Sequence, residues 1–359
     1  MIHAQKHSPA KKVRLCDVAA AAAVSVTTAS RILNAPPDQV RVARATRDRV
    51  LKSALKLGYA SPRIVSQLNR TVMILSTDPR SLLYQTIISS IEKSLRQDQY
   101  DVAFGYSEGK TAIVRQYIDM MEKNAVSGCI IFQKRDEAFD NANLSALRSL
   151  HIPCVTVLNQ PVPCPDFVST VVLDDSRAGY DVAAHLLQLG HRQFGYLMAD
   201  ESLWCSQRLN GVIQCLSEAS VSIPDDYIAR VYPGDRFQLF EILKNWLAPS
   251  DSAPTALICA NDDLGYAVVN VLEQLSVSIP HDVSVAGFDD LAALLPGLLE
   301  SMRIALTSIS QPAEIMGIAA AREIINRIQN PDYAARHTPI PGTLSPRSST
   351  AFSPKILVS

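Results

Sequence analysis

The chain has 359 residues and 47 % of them are hydrophobic, which favours two or three folded domains over one small domain. No apolar run approaches the roughly 20 residues of a membrane span, and the N-terminal sequence MIHAQKHSPAKK lacks the apolar centre of a signal peptide. The seven cysteines are scattered without a Cys-x-x-Cys pair, which argues against a disulfide framework and a zinc site, so we expect a cytoplasmic protein with reduced thiols.

The net charge of −1 conceals a strong asymmetry along the chain. Residues 1–70 contain 13 Lys and Arg and 3 acidic residues, a net charge of +10. The remainder contains 21 Lys and Arg and 32 acidic residues, a net charge of −11. A basic module on an acidic body is typical of a protein whose N-terminal part binds a polyanion such as nucleic acid.

The first elements along the chain are a flexible tail over residues 1–12 and two short helices after it. An alanine-rich stretch begins at Leu15, and the second helix is predicted within residues 24–34. Ser25 is suited to cap this second helix, because its hydroxyl can accept a backbone N–H of the first turn. The apolar face of the helix pair consists of Val18, Ala22, Ala29, Ile32 and Leu33.

The other face of the second helix carries Val26, Thr27 and Arg31. Two short helices of this kind are typical of a helix-turn-helix, in which the second helix enters the DNA major groove. There an arginine can donate two hydrogen bonds to a guanine, while valine and threonine can contact a thymine methyl group. These three side chains are therefore the candidates for reading base edges.

A third helix completes this N-terminal module. It is predicted within residues 45–59, where apolar residues recur at helical spacing and Gly58 can serve as a C-cap. We accordingly expect a DNA-binding domain over residues 13–60. Pro62 can open a further short helix, so residues 61–70 are expected to form a hinge helix and a linker.

From residue 71 the pattern changes to short apolar strands that alternate with amphipathic helices, which predicts an α/β fold of parallel sheets covered on both faces. The expected strands are VMIL (72–75), DVAFGY (101–106), GCIIF (128–132), PCVTVL (153–158), FGYLM (194–198), TALICA (255–260) and VSVAGF (283–288). These units suffice for two lobes over residues 71–350, with a ligand cleft outside the carboxyl ends of the strands. Residues 351–359 are left as a C-terminal tail.

Over nearly the whole chain, from Val13 to Thr350, the order and spacing of short motifs resembles the lactose-repressor/galactose-repressor (LacI/GalR) family of bacterial transcription regulators. The matching positions are Asp17-Val18-Ala19, Val24-Ser25, Thr28, Ser30-Arg31, Asn34, Thr46-Arg47, Arg49-Val50, Leu57-Gly58-Tyr59, Val172-x-Asp174-Asp175-x-x-Ala178-Gly179, Leu189-Gly190-His191-Arg192, Arg208-x-x-Gly211, Asn261-Asp262, Pro280-x-Asp282-Val283-Ser284-Val285-x-Gly287-Phe288-Asp289-Asp290, Thr307, Gln311-Pro312 and Arg347-x-Ser349-Thr350.

The resemblance implies a three-helix head, a hinge helix and a two-lobed core similar to periplasmic binding proteins. It also implies a homodimer that places two second helices in successive major grooves of a near-palindromic operator. Leu68 stands where the family inserts a leucine between base pairs of the minor groove. The DNA-contacting positions that the resemblance implies are Leu15, Ser25, Val26, Thr27, Thr28, Ser30, Arg31, Asn34, Val65 and Leu68.

By position, the family's effector contacts fall on Tyr84, Trp204, Arg208, Arg236, Asn261 and Asp289. A donor such as Arg208 and an acceptor such as Asp289 together suit vicinal hydroxyls. Tyr84 and Trp204 can supply apolar faces for a sugar ring, although Trp204 can equally be a packing residue. Arg236 occupies a position that is often aromatic in the family and raises the chance of an acidic or phosphorylated ligand. The expected effector is a sugar or sugar acid, without a cofactor or a metal.

Several positions depart from the family pattern. Ala23 replaces the glycine usual between the first two helices, and a non-glycine residue at positive φ costs about 1 kcal/mol. Arg14 and Ala43 stand where hydroxyl caps are usual, and extra residues follow Asn34. Val65 is bulkier than the alanine usual in the hinge. These departures concern the anchoring of the second helix and the hinge.

Catalytic alternatives find little support. Adjacent carboxylates at a strand end point to opposite sides and make poor acid/base dyads, and neither Gly-x-Gly nor Gly-x-Ser-x-Gly occurs. We therefore expect a non-enzymatic repressor of carbohydrate-utilisation genes, released from its operator by the effector. The alternatives are a nucleoside- or purine-responsive or corepressor-dependent regulator of the same family, and a solute-binding protein of sugar transport.

Overall fold

The structure is a computed structural model that describes residues 13–34, 42–57, 59, 70–78, 80–124, 126–132, 141–232, 234–294, 297–330 and 332–354. The expected hinge helix with Val65 and Leu68, the expected tail over residues 1–12 and the residues just after Asn34 lie outside these ranges.

Three helices form the N-terminal head: α1 (Leu15–Ala21), α2 (Val26–Asn34) and α3 (Arg44–Lys56). The apolar face expected for the first two helices forms the core of the head together with Val50, Leu51 and Ala54 of α3. The axes of α1 and α2 are inclined by 105°, as in a helix-turn-helix. The helix-turn-helix prediction is thereby confirmed.

The turn between α1 and α2 contains the predicted cap and the predicted strained residue. The Ser25 hydroxyl accepts the backbone N–H of Thr28 at 3.0 Å. Ala23 has φ of +51°, the left-handed conformation in which glycine would be unstrained. At the start of α1, Arg14 provides no side-chain cap, and its backbone N–H instead donates to the Asp17 carboxylate at 2.8 Å.

The body contains two six-stranded sheets, whose strand orders are β11-β5-β4-β3-β1-β2 and β12-β10-β9-β8-β6-β7. All neighbouring pairs are parallel except β10 with β12. The strands are β1 (Thr71–Ser76), β2 (Asp101–Tyr106), β3 (Gly128–Phe132), β4 (Cys154–Val157), β5 (Val168–Leu173), β6 (Phe194–Met198), β7 (Ile228–Arg230), β8 (Ala256–Cys259), β9 (Ser284–Asp289), β10 (Thr307–Ser310), β11 (His337–Ile340) and β12 (Thr343–Ser345).

Helices cover both faces of each sheet, so the body forms two doubly wound lobes. The helices are α4 (Leu82–Gln97), α5 (Thr111–Lys123), α6 (Asn141–Ser149), α7 (Asp175–Gln188), α8 (Leu203–Glu218), α9 (Arg236–Trp246), α10 (Asp262–Gln274), α11 (Leu298–Ser301) and α12 (Ala313–Gln329). In lobe 1, α4 and α12 pack on one face of the sheet and α5 and α6 on the other. In lobe 2, α7 and α8 pack on one face and α9 and α10 on the other.

The chain crosses between the lobes three times, once between β5 and α7, once between β10 and α12, and once between β11 and β12. Helix α12 follows a strand of lobe 2 but packs in the core of lobe 1. The two lobes are therefore joined by three short segments, and ligand contacts made on these segments can influence how the lobes are oriented.

All seven predicted strands occur, and the predicted two-lobed α/β body is confirmed. The strand prediction missed β5, β7, β10, β11 and β12. Three of these are edge strands of three or four residues, and β11 contains Pro339. Such short segments give no sustained apolar alternation for a sequence pattern to detect.

The first residues of the predicted C-terminal tail, 351–353, are attached to lobe 2. The backbone N–H of Ser353 donates to the carbonyl of Leu189 at 2.8 Å, and the Ala351 carbonyl lies 3.0 Å from Nε2 of His191. His191 is fully buried and its other ring nitrogen contacts Thr255 at 2.9 Å. This histidine therefore fastens the C-terminal segment to the lobe.

In the described part of the chain, no single helix is long and apolar enough to cross a membrane, whereas α1 together with Val26–Leu33 reaches that length and composition as a bent pair. No group of three potential metal ligands comes together among the described residues.

Candidate functional site

The first candidate site is the exposed face of α2. Val26 is 48 % exposed, and the side chains of Thr27 and Arg31 are also exposed. The apolar residues of the opposite face are buried against α1 and α3. Helix α2 thus presents the three predicted base-reading side chains to solvent.

The other predicted DNA-contacting residues of the head have structural contacts as well. Leu15 packs against the edge of the head core. The hydroxyls of Ser25 and Thr28 are hydrogen-bonded to each other at 2.8 Å. Ser30 is half-buried and Asn34 ends α2. The contacts of Leu15, Ser25 and Thr28 therefore help to position the helix, in addition to any contact with a phosphate.

The second candidate site is a cleft of about 1400 Å³ between the lobes. Most of its polar lining follows the carboxyl ends of strands, as expected for open parallel sheets. Thr77 follows β1, Asn159 follows β4 and Asn261 follows β8. The six predicted effector residues all line this cleft: Tyr84, Trp204, Arg208, Arg236, Asn261 and Asp289.

Arg208 of α8 lies on the lobe 2 side of the cleft and is only 3 % exposed. Its Nε donates to Asp175 at 2.7 Å and its Nη1 donates to the Ala260 carbonyl at 2.6 Å. Its Nη2 reaches Asp289 at 3.4 Å. Burial raises the pKa of Asp175 to about 6, although the guanidinium opposes this shift. Arg208 is thus largely occupied by protein partners, most closely by Asp175 and the Ala260 carbonyl.

Two glycines of the family motifs hold α7 and α8 close enough for the Arg208–Asp175 pair. A Cβ at Gly179 would lie 2.0 Å from the carbonyl oxygen of Arg208, and a Cβ at Gly211 would lie 1.9 Å from that of Ser176. Any larger residue would force the two helix backbones apart.

Asp289 ends β9 in a strained conformation, with φ of +99°. One of its oxygens accepts from Nε2 of Gln311 at 2.6 Å. A second carboxyl group, that of Asp262, accepts from the Ser308 hydroxyl at 2.8 Å. Burial, and next the charge of Asp289, raise the pKa of Asp262 to about 8. Of these two carboxyl groups, Asp289 lines the cleft and Asp262 does not.

Tyr84 enters the cleft from α4 of lobe 1. Its ring packs on Phe132 with 5.2 Å between centroids, and the residue is 7 % exposed. Burial, with the charges of Asp78 and Asp289, raises the pKa of its hydroxyl above the ordinary value. The ring belongs to the core of lobe 1 while the residue also lines the cleft, so its role as an apolar face for a sugar ring stays a prediction. Its hydroxyl is hydrogen-bonded with Asn159, which lines the same cleft.

The remaining three predicted residues have different positions. Asn261 caps α10, since its Oδ1 accepts the N–H of Leu264 at 3.0 Å, which leaves the amide NH₂ as its donor group. Trp204 is half-buried and stacks on the Arg208 guanidinium at 4.6 Å, so it combines a packing role with a place on the cleft wall. Arg236 is exposed at the rim, at the start of α9.

Sequence reasoning missed Asp175 and Gln311 as cleft residues, although both stand in the motifs that carry the family resemblance. It also missed the acidic character of the site. The described lining contains three arginines and these carboxylates: Asp78, Glu108, Asp175, Asp200, Asp235, Asp263 and Asp289. Only the assembled fold brings these scattered side chains together.

Comparisons with known proteins identify the family. Residues 14–61 match the bacterial regulatory proteins of the lacI family, and residues 183–350 match the periplasmic binding protein-like domain. The chain belongs to the LacI family of bacterial regulatory proteins. This LacI-family regulator is 27 % identical over 347 residues to the HTH-type transcriptional repressor PurR of Klebsiella pneumoniae subsp. pneumoniae, which covers 94 % of this chain and 97 % of the relative.

Other similarities agree with this assignment. The arabinose metabolism transcriptional repressor of Geobacillus stearothermophilus is 27 % identical and covers 72 % of the chain and 71 % of its own length. The fold matches the transcriptional regulator CelR in its cellobiose complex, with a TM-score of 0.65, 22 % identity and coverage of 94 % and 100 % of the two chains. It also matches a LacI family regulator from Enterococcus faecium with bound ribose, with a TM-score of 0.63, 24 % identity and coverage of 79 % and 99 %.

Proposed function

We propose that this LacI-family regulator is a homodimeric transcriptional repressor whose operator affinity changes when a neutral, hydroxyl-rich effector occupies the cleft. One observation carries the proposal. A basic helix-turn-helix head with an exposed reading face stands on the same chain as a two-lobed body whose cleft gathers all six predicted effector residues. The homologues are transcription regulators, and we propose no catalytic role for this chain. Its target DNA would place it in the cytoplasm.

On the DNA side, the proposal assigns selectivity to Val26, Thr27 and Arg31 and general affinity to the positive charge of the head. Arg31 is long enough to donate to a guanine edge, whereas the methyl groups of Val26 and Thr27 suit a thymine. The net charge of +10 over residues 1–70 supports strong, salt-dependent binding to phosphates. The proposal also retains the minor-groove contacts of Val65 and Leu68.

On the ligand side, the charges of the cleft favour a neutral effector over a sugar acid or a phosphorylated sugar. Arg208 is paired with Asp175 and Asp289, and Arg80 lies 3.8 Å from the carboxylate of Asp78. Arg236 is at the exposed rim. Among the lining residues that the structure describes, an anionic group would therefore meet more carboxylates than cations, and the buried arginine is already paired. Neutral hydroxyls, in contrast, can donate to these carboxylates at little electrostatic cost.

A second copy of the chain is the proposed occupant of an edge surface formed by Phe104, Tyr106, Tyr232 and Phe237. These side chains are 46 %, 45 %, 56 % and 76 % exposed. Phe104 and Tyr106 lie on β2 and the other two follow β7, and each of these strands is one edge of its sheet, with a following loop that lines the cleft. Pairing two copies would bury these aromatic side chains and place two heads on one palindromic operator. Phe237→Asp should then shift the sedimentation coefficient of the protein toward that of a monomer, and an unchanged dimer would contradict this surface.

The coupling between ligand and DNA would follow from a population shift between lobe orientations. Asp289 and Arg208 belong to lobe 2 and Tyr84 to lobe 1, so an effector that contacts both sides favours one orientation of the lobes. DNA binding measured with and without the ligand determines whether the effector releases the protein from the operator or strengthens repression.

The test is a gel shift of the full-length protein on the DNA upstream of its own gene, against a scrambled duplex of equal length. We expect sequence-selective binding that weakens steeply with salt. Arg31→Ala should reduce the preference for the specific duplex by about 1–3 kcal/mol while leaving binding to the scrambled duplex almost unchanged. A chain that binds a sugar in a thermal-shift panel but no DNA would instead be a solute-binding protein, and stabilisation by nucleosides alone would overturn the sugar assignment.

A further inference from the structure

Arg70 is the residue at which the body follows the head, and its side chain is held at the C-terminal end of α4. It comes after residues 14–61, which match the lacI-family head, and directly precedes β1. Its Nη1 donates to the carbonyl of Asp98 at 3.3 Å and to Oε1 of Gln99 at 3.2 Å. Its guanidinium lies over the Tyr100 ring, 5.6 Å from the centroid. A cation at this position satisfies a helix carbonyl and interacts favourably with the helix dipole.

Gln99 occupies a position where glycine is the usual residue. The backbone N–H of Gln99 donates to the carbonyl of Arg96 at 3.0 Å. That of Tyr100 donates to the carbonyl of Leu95 at 2.9 Å, which completes a Schellman motif at the end of α4. Gln99 has φ of +63°, a conformation that is strained for any residue other than glycine. Such strain persists where the side chain has a role, and the bond from Arg70 is a contact that glycine cannot make.

The opposite end of α4 lies at the effector cleft. The Ser81 hydroxyl caps the helix by accepting the backbone N–H of Tyr84 at 3.3 Å, and both residues line the cleft. The 16 residues of α4 rise about 1.5 Å each, so its two ends are about 24 Å apart. This helix therefore connects the cleft with the point where the body joins the head.

The middle of α4 is held against α12, the helix that enters lobe 1 after β10 of lobe 2. A Cβ at Gly317 of α12 would lie 2.5 Å from the Cβ of Ser90, so the two helices are in close contact. The Ser90 hydroxyl also donates to the Glu314 carbonyl at 2.9 Å. Because closely packed helices shift as units and do not deform continuously, a displacement of α12 at the crossing should move α4 together with Arg70.

We propose that Arg70 is a positioning residue of the regulator: by fastening the start of the body to the end of α4, its side chain transmits the ligand-dependent orientation of lobe 1 to the head. This inference rests on the proposed function, since it names a contact through which the cleft acts on operator affinity. The backbone of Arg70 is held separately, because its carbonyl accepts the N–H of Asp101 at 2.7 Å. Substitutions of the side chain therefore test the fastening without releasing β1.

The test is fluorescence anisotropy of a labelled operator duplex with the full-length protein, with and without a saturating concentration of whichever of D-ribose, L-arabinose, D-glucose and cellobiose stabilises it most. The coupling factor, the ratio of the two operator Kd values, is expected at about 5–150 for the wild type. Arg70→Met keeps a long unbranched side chain and removes the donors. We expect it to lower the coupling factor about threefold or more, while the sugar Kd without DNA stays within about twofold of the wild type.

The matched control is Arg96→Met, which removes the same charge from the last turn of α4. Arg96 is exposed and pairs with Glu92 on its own helix. Its substitution should leave the coupling factor within about twofold of the wild type.

Gln99→Gly separates a transmitting role from a structural one, and it also serves if Arg70→Met folds poorly. It removes the amide acceptor and relieves the positive φ, so its melting temperature should not fall below that of the wild type, whereas its coupling factor should fall. Gln99→Ala removes the same amide but keeps the Cβ, so it should lose coupling without any gain in melting temperature. The double variant of Arg70→Met with Gln99→Gly should show the coupling factor of Arg70→Met alone, since both substitutions act on one contact.

Three outcomes would contradict the inference. A wild-type coupling factor in Arg70→Met and in both Gln99 variants would overturn it while leaving the proposed function intact. An equal loss of affinity of Arg70→Met for the operator and a scrambled duplex, with the response to sugar retained, would do the same, because Arg70 would then be a simple phosphate contact. A wild-type operator Kd that none of the four sugars changes would contradict the proposed function and this inference together.

Discussion

Replacing Arg208 with methionine should destabilise lobe 2 strongly and in a pH-dependent way. The substitution removes two short charge-assisted hydrogen bonds, to Asp175 at 2.7 Å and to the Ala260 carbonyl at 2.6 Å. It also leaves Asp175, which is 4 % exposed, without its counter-ion. Breaking a buried pair in this way costs about 3–5 kcal/mol, and we expect a loss of that size in the free energy of unfolding at about pH 8.

At about pH 5 the loss should be smaller, because the pKa of Asp175 is already about 6 and rises further without Arg208. The carboxyl then takes a proton instead of remaining as a buried, unpaired charge. Adding Asp175→Asn to Arg208→Met should recover part of the stability at about pH 8 for the same reason. Arg236→Ala at the exposed rim is the control and should change the unfolding free energy by less than about 0.5 kcal/mol.

The assay is urea unfolding followed by tryptophan fluorescence. Both tryptophans of the chain, Trp204 and Trp246, lie on helices of lobe 2, so the signal reports the lobe that contains the ion pair. A loss below about 1 kcal/mol for Arg208→Met, or an equal loss at both pH values, would refute the view that this pair is a buried electrostatic support of the cleft.

Three further predictions concern the framework of the two sites. Gly211→Ala should lower the unfolding free energy of lobe 2 by at least about 2 kcal/mol, because its Cβ would overlap the backbone of α7; an equal effect of the exposed Ser217→Ala on the same helix would contradict this reason. Ala23→Gly should relieve the positive φ and slow hydrogen exchange of α2, with a gain of about 0.5–1 kcal/mol, whereas Ala20→Gly within α1 should lose about 1 kcal/mol. For Asp262, the folded-state pKa of about 8 lies above the unfolded value, so wild-type stability falls as pH rises between the two values. The difference in melting temperature between Asp262→Asn and the wild type should therefore shift in favour of the variant as pH rises across this window, and it should be constant above the window. A difference that is the same at every pH would show that the carboxyl does not titrate there.

Most of the fold could be predicted from the sequence, because the patterns that indicate its helices and strands are local. Ser25 could be recognised as a cap and Ala23 as a strained position from their places beside the apolar face of α2. The alternation of apolar strands with amphipathic helices was enough to predict two parallel-sheet lobes. Edge strands such as β7 and β12 were missed because three residues carry no periodicity.

The six residues that the family resemblance assigns to the effector all line one cleft, because the resemblance fixes their positions along the chain. Their packing and pairing were not predicted. The burial of Tyr84 against Phe132 and the pairing of Arg208 depend on contacts between segments far apart in the chain. The hydrogen bond from Gln311 to Asp289 likewise depends on the pairing of β9 with β10. Such three-dimensional neighbourhoods are outside the reach of a pattern read along one sequence.

The central claim is that one chain couples a cleft ligand to operator affinity, and fluorescence anisotropy of a labelled operator duplex tests it most directly. The protein is titrated into the duplex with and without a saturating concentration of the sugar that stabilises it in the thermal-shift panel. We expect the operator Kd to change by a factor of about 5–150, and the sugar Kd to change by the same factor when operator is present, as linkage requires. An operator Kd that is the same with and without saturating sugar would contradict the account.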